Sequence, residues 1–249
     1  MNLLTTLYNM SYGDRFEEVK QIIKCNILNS SFKKVYIFFE NFNPDNKQYD
    51  FLKHEKIHII NVKYRQIYSE MIKFANDNLK GEYVVISNTD ILFDKTINRI
   101  SEIDFYDKKI IALTRWNKIE DNSKIFKLEL QNKKTVAWSY DTYIFQSPID
   151  VNLETLDIEV GIAGCDILLV KRFEIDNNFI VRNPCIDIRT YHIDNKSRKR
   201  YLSFDYYSQY DYSEANAKEA VTIDGHFQPY SNSLRLRFDY KSVLNNIPD

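Results

Sequence analysis

The chain has 249 residues and a mass of 29.8 kDa, and its 34 Lys and Arg residues are balanced by 35 Asp and Glu residues. This length is enough for one domain with a sizeable core, and the balanced charge argues against a nucleic-acid partner. No window approaches the roughly 20 apolar residues that cross a bilayer, and the N-terminal sequence lacks the basic and apolar parts of a secretory signal. We therefore expect no membrane span and a cytoplasmic location, in a cell or a host cell.

Short apolar runs predict the strands of the first part of the chain. They cover residues 3–8, 34–40, 56–62 and 82–87. Each run is apolar almost throughout instead of alternating with polar residues. This pattern predicts strands that are buried on both faces, as in a parallel sheet covered by helices.

Two helices are predicted between these strands. Asp14 and Glu17 have the spacing of a capping box, which predicts a helix that begins with them. Gly81 supplies a C-terminal stop for the second helix. Apolar residues at helical spacing define the buried face of each helix. These are Phe16, Val19, Ile23 and Ile27 in the first helix and Tyr68, Met71, Ala75 and Leu79 in the second.

The second half of the sequence is less regular. Strands are predicted at residues 109–115 and 140–148, with a charged excursion at 116–135 between them. A helix with Asp166 in its first turn follows, and then short strands within residues 179–192. The alternation of strands and helices with short connections is typical of an α/β fold with a mostly parallel central sheet.

Cysteine and glycine usage exclude several common sites. Cys25, Cys165 and Cys185 are widely spaced and form no CxxC, so we expect buried free thiols and neither a disulfide framework nor a zinc site. The five glycines form neither GxGxxG nor GxxxxGK[ST]. A dinucleotide fingerprint and a P-loop are therefore absent from the sequence. Any nucleotide must be held by other means.

Polar residues follow the predicted strand at 82–87. Asn88 and Asp90 lie at its carboxyl end, the edge at which open α/β sheets bind ligands. Two oxygen-bearing side chains at this spacing can hold a hard divalent cation that keeps positions free for phosphates. An ordinary turn is the alternative for Asp90. For Asp94 we predict a structural role, as the cap of a helix that starts near Thr96.

A family resemblance gives these residues a more specific interpretation. The stretch KGEYVVISNTDILFD resembles the acidic DxD-type motif of GT-A glycosyltransferases, with Asn88 in place of the first aspartate, which weakens the expected hold on a cation. Seven motifs in order are similar to the GT-A glycosyltransferase domains of chloroviruses, other giant viruses and bacterial relatives. They extend from Arg65 to Tyr201 and read RQIYSEMIKFAN, ISNTDILFD, ALTRW, DTYIF, GIAGCD, NP and TYHIDNKSRKRY.

The resemblance implies a GT-A, Rossmann-like fold in which residues 1–201 form the glycosyltransferase domain. Residues 1–115 would bind the nucleotide-sugar, residues 116–201 would bind the acceptor, and residues 202–249 would form a C-terminal extension. It also implies a donor site for a nucleoside-diphosphate sugar, with a UDP-sugar expected. The implied donor-binding residues are Thr6, Leu7, Tyr8, Asn9, Arg65, Tyr68, Asn88, Asp90, Arg198 and Arg200.

The same resemblance implies a Mn²⁺ or Mg²⁺ ion bound by Asp90 and His192, although a histidine at a strand end is often structural. Asp166 is the implied catalytic residue. It would be the general base of an inverting enzyme or would orient a sugar hydroxyl in a retaining one. Its alternative role is a carboxylate favoured by a helix N-terminus. Acceptor contacts are implied for Trp138, Asp141 and Tyr143, whose aromatic rings could equally be packing residues.

The expected activity is transfer of a hexosyl or deoxyhexosyl group to a hydroxyl of a glycan acceptor. Two alternatives stay open. A non-catalytic carbohydrate-binding or scaffold protein could share the fold, because fold does not imply function. A sugar-nucleotide nucleotidyltransferase would need a glycine-rich, basic loop after the first strand. Residues 7–17 contain one glycine and one arginine, which disfavours it.

Overall fold

The protein is described by a computed structural model that covers residues 1–106, 108–118, 125–128, 136–137, 139–192, 218–219, 223 and 236–237. The helices in these ranges are α1 Asp14–Leu28, α2 Tyr68–Asn78 and α3 Cys165–Lys171. The strands are β1 Asn2–Tyr8, β2 Lys34–Glu40, β3 Ile57–Val62, β4 Tyr83–Ser87, β5 Ile91–Phe93, β6 Lys109–Leu113, β7 Trp116–Lys118, β8 Ile125–Leu128, β9 Val136–Ala137, β10 Thr142–Gln146, β11 Ile180–Arg182, β12 Thr190–His192, β13 Lys218–Glu219 and β14 Leu236–Arg237.

A seven-stranded sheet forms the centre of the fold, in the order β11-β6-β10-β4-β1-β2-β3. Its strands pair in parallel except for β10, which runs antiparallel to both β4 and β6. The predicted α/β fold with a mostly parallel sheet is confirmed. The antiparallel β10 begins at the edge where β4 and β6 end, so residues just before it join residues that follow those strands.

A second sheet packs beside the carboxyl end of β4, in the order β14-β8-β7-β12-β5. The chain enters this sheet at β5, and only three residues separate β5 from the end of β4. In the antiparallel β5–β12 pair, His192 lies opposite Ile91. The residues 88–90 therefore form a short link between two sheets, which bends the chain at the predicted cation site.

The two faces of the central sheet are both covered by apolar residues. In β4, Val85 packs into the core on the α1 side, whereas Val84 and Ile86 pack into the core on the α2 and α3 side. Successive strand residues point to opposite faces, so an apolar run such as β4 can fill both cores. Burial on two faces fixes the sheet and leaves its carboxyl edge to carry polar side chains.

Helix α1 confirms its predicted buried face, since Phe16, Val19, Ile23 and Ile27 are all buried. The predicted capping box at its start is wrong. Gly13 is the N-cap, and no side chain caps the helix. Asp14 is therefore already the first helical residue, one position too late for its side chain to act as the cap.

Helix α2 likewise buries Tyr68, Met71 and Ala75, and Leu79 follows it as a buried C-cap residue. Gly81 lies two residues beyond that C-cap, in the turn that leads to β4, with a φ of 79° that favours glycine.

The smaller structural predictions have clear outcomes. The Asp94 side chain accepts a hydrogen bond from Thr96 N and caps a 3₁₀ helix at Lys95–Glu102, as predicted. The three cysteines are free and buried, also as predicted. In the described part of the chain, no helix has the length and apolar character needed to cross a membrane.

The division at residues 201 and 202 stays a prediction. Of the residues beyond it, β13 pairs with β9 and β14 pairs with β8. The described parts of the predicted C-terminal extension thus add strands to segments of the preceding domain.

Candidate active site

Charged side chains from six places in the chain meet at the carboxyl edge of the central sheet. They come from the first turn of α1, the β4–β5 link, the end of β6, the start of β10, the first turn of α3 and the end of β12. Ligands of open α/β sheets bind at this edge. The residues are Arg15, Asp90, Arg115, Asp141, Asp166 and His192.

Asp90 receives two partners on one carboxylate oxygen. Arg15 Nη2 lies 2.6 Å from Asp90 Oδ2, and His192 Nε2 lies 3.2 Å from the same atom. Burial acts to raise the pKa of Asp90, but the hydrogen bond and charge of His192 and the charge of Arg15 outweigh burial and hold this pKa well below its usual range. The carboxylate is therefore ionised at neutral pH.

Asn88 is held by the neighbouring strand. Its Nδ2 donates to Asp141 Oδ1 at 2.7 Å, and its backbone N–H donates to Asp141 O at 3.0 Å. These bonds continue the antiparallel β4–β10 pairing by one residue, since Ser87 lies opposite Thr142. The amide nitrogen thus faces Asp141, and among the described contacts the Oδ1 atom of Asn88 accepts no hydrogen bond.

Arg115 lies among the three carboxylates. Its Nη1 donates to both oxygens of Asp141, at 2.9 and 3.0 Å. Burial acts to lower the pKa of Arg115, but the charges of Asp141, Asp90 and Asp166 raise it overall. We did not predict Arg115 or Arg15 as site residues. For Arg115 a signal was present, because the motif ALTRW puts an arginine directly after a predicted strand.

Asp166 occupies the first turn of α3. Gly164, with a φ of 84°, precedes the helix in a conformation that favours glycine and turns the chain into it. The Asp166 Oδ2 atom accepts a hydrogen bond from Tyr140 N at 3.0 Å, and its backbone carbonyl accepts one from the Tyr143 hydroxyl at 3.0 Å. Burial, together with the charge of Asp141, raises the pKa of Asp166 to about 6.

The residues predicted to hold the donor are placed in three different ways. Tyr8 is 57% exposed at the end of β1, and Asn9 is exposed beside it, with Nδ2 3.0 Å from Asn41 O. Arg65 is exposed after β3. Leu7 and Tyr68 are buried at 4% and 3% exposure, so neither offers side-chain surface to a ligand.

Thr6 is half-buried, and its carbonyl accepts a hydrogen bond from the Thr89 hydroxyl. The end of β1 is thereby tied to the β4–β5 link. Exposed Tyr8 and Asn9 therefore lie on the strand end next to the carboxylate cluster.

The predicted acceptor residues are more deeply placed than expected. Tyr143 is 1% exposed, with its ring 5.6 Å from that of Tyr68 in an edge-on contact. The Asp141 side chain is 7% exposed and is occupied by Arg115 and Asn88. Asp141 and Tyr143 are therefore buried beneath the site, where they contact other side chains and do not face solvent. Trp138, Arg198 and Arg200 lie outside the described residues.

The donor set fits a divalent cation in an open site. Asp90 and His192 supply a carboxylate oxygen and an imidazole nitrogen 3.2 Å apart, a pair that suits Mn²⁺. Within the described ranges, no three His, Cys, Asp or Glu side chains assemble around a common metal position. An ion held by this pair alone would take its other ligands from water and phosphate, as Mg²⁺ and Mn²⁺ ions commonly do.

The fold is distantly similar to several solved structures. A glucose-1-phosphate thymidylyltransferase described as putative, from Bacillus anthracis, is 9% identical, with 73% of this chain and 86% of that chain covered and a TM-score of 0.40. The inositol-1-phosphate CTP transferase from T. maritima is 11% identical over 78% and 89%, with a TM-score of 0.39. The galactosyltransferase LgtC, in complex with donor and acceptor sugar analogues, is 9% identical over 59% and 58%, with a TM-score of 0.37.

No protein-family model and no curated protein sequence matches the chain. At these identities and TM-scores the solved structures say nothing about activity. The chemistry of the site has to be derived from its own residues.

Proposed function

We propose that the chain is a glycosyltransferase that moves a sugar from a nucleoside diphosphate, with a UDP-sugar as donor, to a hydroxyl of a glycan acceptor. The observation that carries the proposal is the meeting of Asp90, Asp141 and Asp166 around Arg115 at the carboxyl edge of the central sheet, where Asp90 contacts His192 and Asp166 accepts the Tyr140 N–H. The pKa of Asp90 is held well below its usual range, whereas that of Asp166 is raised to about 6. Such a pair separates an ion-binding role from an acid–base role.

The donor would bind over the β4–β5 link. Tyr8 offers an exposed ring on which a nucleobase can stack, and Asn9 offers amide hydrogen bonds. Asn88 Oδ1 would face the ribose or the cation. Asp90 and His192 would hold a Mn²⁺ or Mg²⁺ ion, which, when bound, neutralises charge on the departing diphosphate.

Extra positive charge is needed at this site. Arg15 and His192 already contact Asp90, and Arg115 already contacts Asp141, while Asp166 brings a third carboxylate to the same edge. An anionic diphosphate would be repelled by these carboxylates unless a cation accompanied it. This electrostatic argument supports a metal-assisted reaction.

Asp166 would act on the acceptor. As the acceptor oxygen forms a bond to the anomeric carbon, the bond from that carbon to the diphosphate oxygen breaks, and Asp166 takes the hydroxyl proton. A carboxylate with a pKa of about 6 is ionised at neutral pH and still basic enough to accept the proton. The Tyr140 N–H and the Tyr143 hydroxyl fix its position.

Release of UDP from a panel of UDP-sugars in the presence of Mn²⁺ tests the proposal. Without a glycan acceptor, the assay detects slow hydrolysis of the UDP-sugar, in which water takes the place of the acceptor. Addition of a glycan acceptor should accelerate the release of UDP. Asp90→Ala and Asp166→Ala should each lower turnover at least ~100-fold, because they remove the ion ligand and the base. Asp77→Ala is a matched control, since Asp77 forms an exposed pair with Lys73 on α2.

Unchanged turnover in both site variants would refute the assignment. Pyrophosphate release from UTP and a sugar 1-phosphate, without UDP release from any UDP-sugar, would indicate a nucleotidyltransferase instead. Glycan binding that is indifferent to nucleotide and to Mn²⁺ would indicate a non-catalytic protein.

A further inference from the structure

Arg15 occupies the carboxylate that the proposed cation requires. It lies in the first turn of α1, and its Nη2 is 2.6 Å from Asp90 Oδ2. The same oxygen faces His192 Nε2 at 3.2 Å. A cation bound between Asp90 and His192 would therefore approach an oxygen that already carries a guanidinium.

A guanidinium and a divalent cation on one oxygen repel each other. Divalent cations lie about 2.0–2.6 Å from their oxygen ligands, and Arg15 Nη2 is 2.6 Å from the same oxygen, so the cation and this nitrogen would be about 5 Å apart or closer. The Arg15 and Asp90 side chains are only 29% and 16% exposed, so solvent screens this repulsion weakly. A cation held by Asp90 Oδ2 and His192 Nε2 would share that oxygen with Arg15, so the guanidinium weakens cation binding for as long as it stays there.

Arg15 has a second anchor that does not depend on Asp90. Its Nη1 lies 3.1 Å from Glu18 Oε2, one turn further along α1. The guanidinium can therefore turn away from Asp90 while this contact is kept. The planar fork of an arginine is suited to phosphate oxygens, because it donates parallel hydrogen bonds.

We propose that Arg15 competes with a divalent cation for Asp90 and moves to the donor diphosphate when the cation binds. The diphosphate then lies between the two positive groups and removes their repulsion. Cation and nucleotide consequently raise each other's affinity by the same factor, as linkage requires. The nucleotide half of this inference rests on the whole proposed function, whereas the competition for Asp90 rests only on the proposed cation site.

A Mn²⁺ titration without nucleotide tests the competition directly, with free Mn²⁺ measured by electron paramagnetic resonance. Arg15→Ala should bind Mn²⁺ at least about tenfold more tightly than the wild type, a typical size for coupling between sites. Arg15→Gln removes the same charge with a smaller loss of packing and serves if the alanine variant does not fold. Lys20→Ala is the control, because it removes a positive charge from the same helix.

A UDP titration at saturating Mn²⁺ tests the proposed movement of Arg15 to the diphosphate. Arg15→Ala should then bind UDP about tenfold more weakly, so that the variant gains cation affinity and loses nucleotide affinity. Equal or weaker Mn²⁺ binding in both neutral variants, or no measurable Mn²⁺ binding in any protein, would overturn the competition.

The two proposals fail in different ways. A wild type that binds no UDP with Mn²⁺ would contradict the proposed function and the movement of Arg15 to a diphosphate. The Mn²⁺ titration alone decides the competition for Asp90. A wild type that binds UDP with Mn²⁺, beside an Arg15→Ala variant of unchanged Mn²⁺ affinity, would overturn only the role of Arg15.

Discussion

His192 Nε2 lies 3.2 Å from Asp90 Oδ2, although 102 residues separate the two in sequence. The contact follows from the register of the second sheet. His192 is opposite Ile91 in the β5–β12 pair, and Asp90 directly precedes Ile91. A change in that register would move His192 to the other face and separate the pair.

His192→Ala removes the imidazole that is proposed to hold the cation together with Asp90. The variant should therefore bind UDP in the presence of Mn²⁺ about 10–100-fold more weakly than the wild type. Isothermal titration calorimetry with UDP and Mn²⁺ measures the change. His54→Ala is the matched control, since His54 is exposed and lies before the amino end of β3, away from the carboxyl edge that carries the site. Equal UDP affinity in the His192 and His54 variants would exclude His192 from the donor site.

The pH dependence of turnover should report Asp166. Its pKa is raised to about 6, so kcat/KM should rise with pH through about 6 and level off above it. The charged and titratable groups around Asp166 include Asp141, Arg115 and Tyr143. A profile that is flat from below this pH to neutral would contradict a carboxylate base of this kind.

Asp141→Asn should move the rise of kcat/KM with pH, the limb that reports Asp166, to lower pH. The Asp141 charge raises the pKa of Asp166, and the amide removes this charge. The charge of Arg115 also favours the ionised form of Asp166. Turnover measured across pH in both proteins checks the shift, and a limb that stays at about 6 would show that Asp141 does not set this pKa.

Asp166 should also reduce stability at neutral pH. Its folded pKa of about 6 lies above the ordinary value of 3.8, so the native state binds more protons than the unfolded state between these values. Stability therefore falls as pH rises through this window, and the penalty is complete above it.

Asp166→Asn removes this penalty and keeps an oxygen that can accept the Tyr140 N–H. We expect the variant to have a higher free energy of unfolding than the wild type above about pH 6, and no advantage below about 3.8. Denaturant unfolding at several pH values measures this difference. A variant that is less stable at every pH would indicate that the charged carboxylate holds the site together.

The central sheet was predictable because its signal is local. Strands at β2 and β4 and helices at α1 and α2 each carry a continuous apolar run or a helical repeat, and these patterns fix burial without knowledge of partners. The pairing of strands is not local. Nothing in the sequence near Ile91 indicates that β5 leaves the central sheet and pairs with β12.

The site residues also differ in whether a local sequence signal indicates them. Asp90, Asp166 and His192 were predicted from motifs, and the structure brings Asp90 and His192 into contact. Arg15 was missed because a polar residue in a first helical turn ordinarily faces solvent. The predicted contact of Tyr143 with an acceptor rests on the ability of aromatic rings to stack on sugars, but the alternation of side chains along β10 directs this ring into the core beside α3.

Asp94 gives a further prediction that separates structure from function. Its carboxylate caps the 3₁₀ helix through Thr96 N and accepts a hydrogen bond from the Tyr191 hydroxyl at 2.9 Å. Asp94→Ala should lower the free energy of unfolding by about 1–2 kcal/mol, the usual loss for a cap. UDP affinity should stay unchanged, and a large loss of that affinity would mean that Asp94 belongs to the donor site.

The most direct measurement of the central claim is a calorimetric titration with UDP, with and without Mn²⁺, on the wild type, Asp90→Ala and Asp94→Ala. We predict Mn²⁺-dependent UDP binding by the wild type and by Asp94→Ala, and its loss in Asp90→Ala. No UDP binding by the wild type in either condition, or equal binding by all three proteins, would contradict a nucleotide-sugar site centred on Asp90.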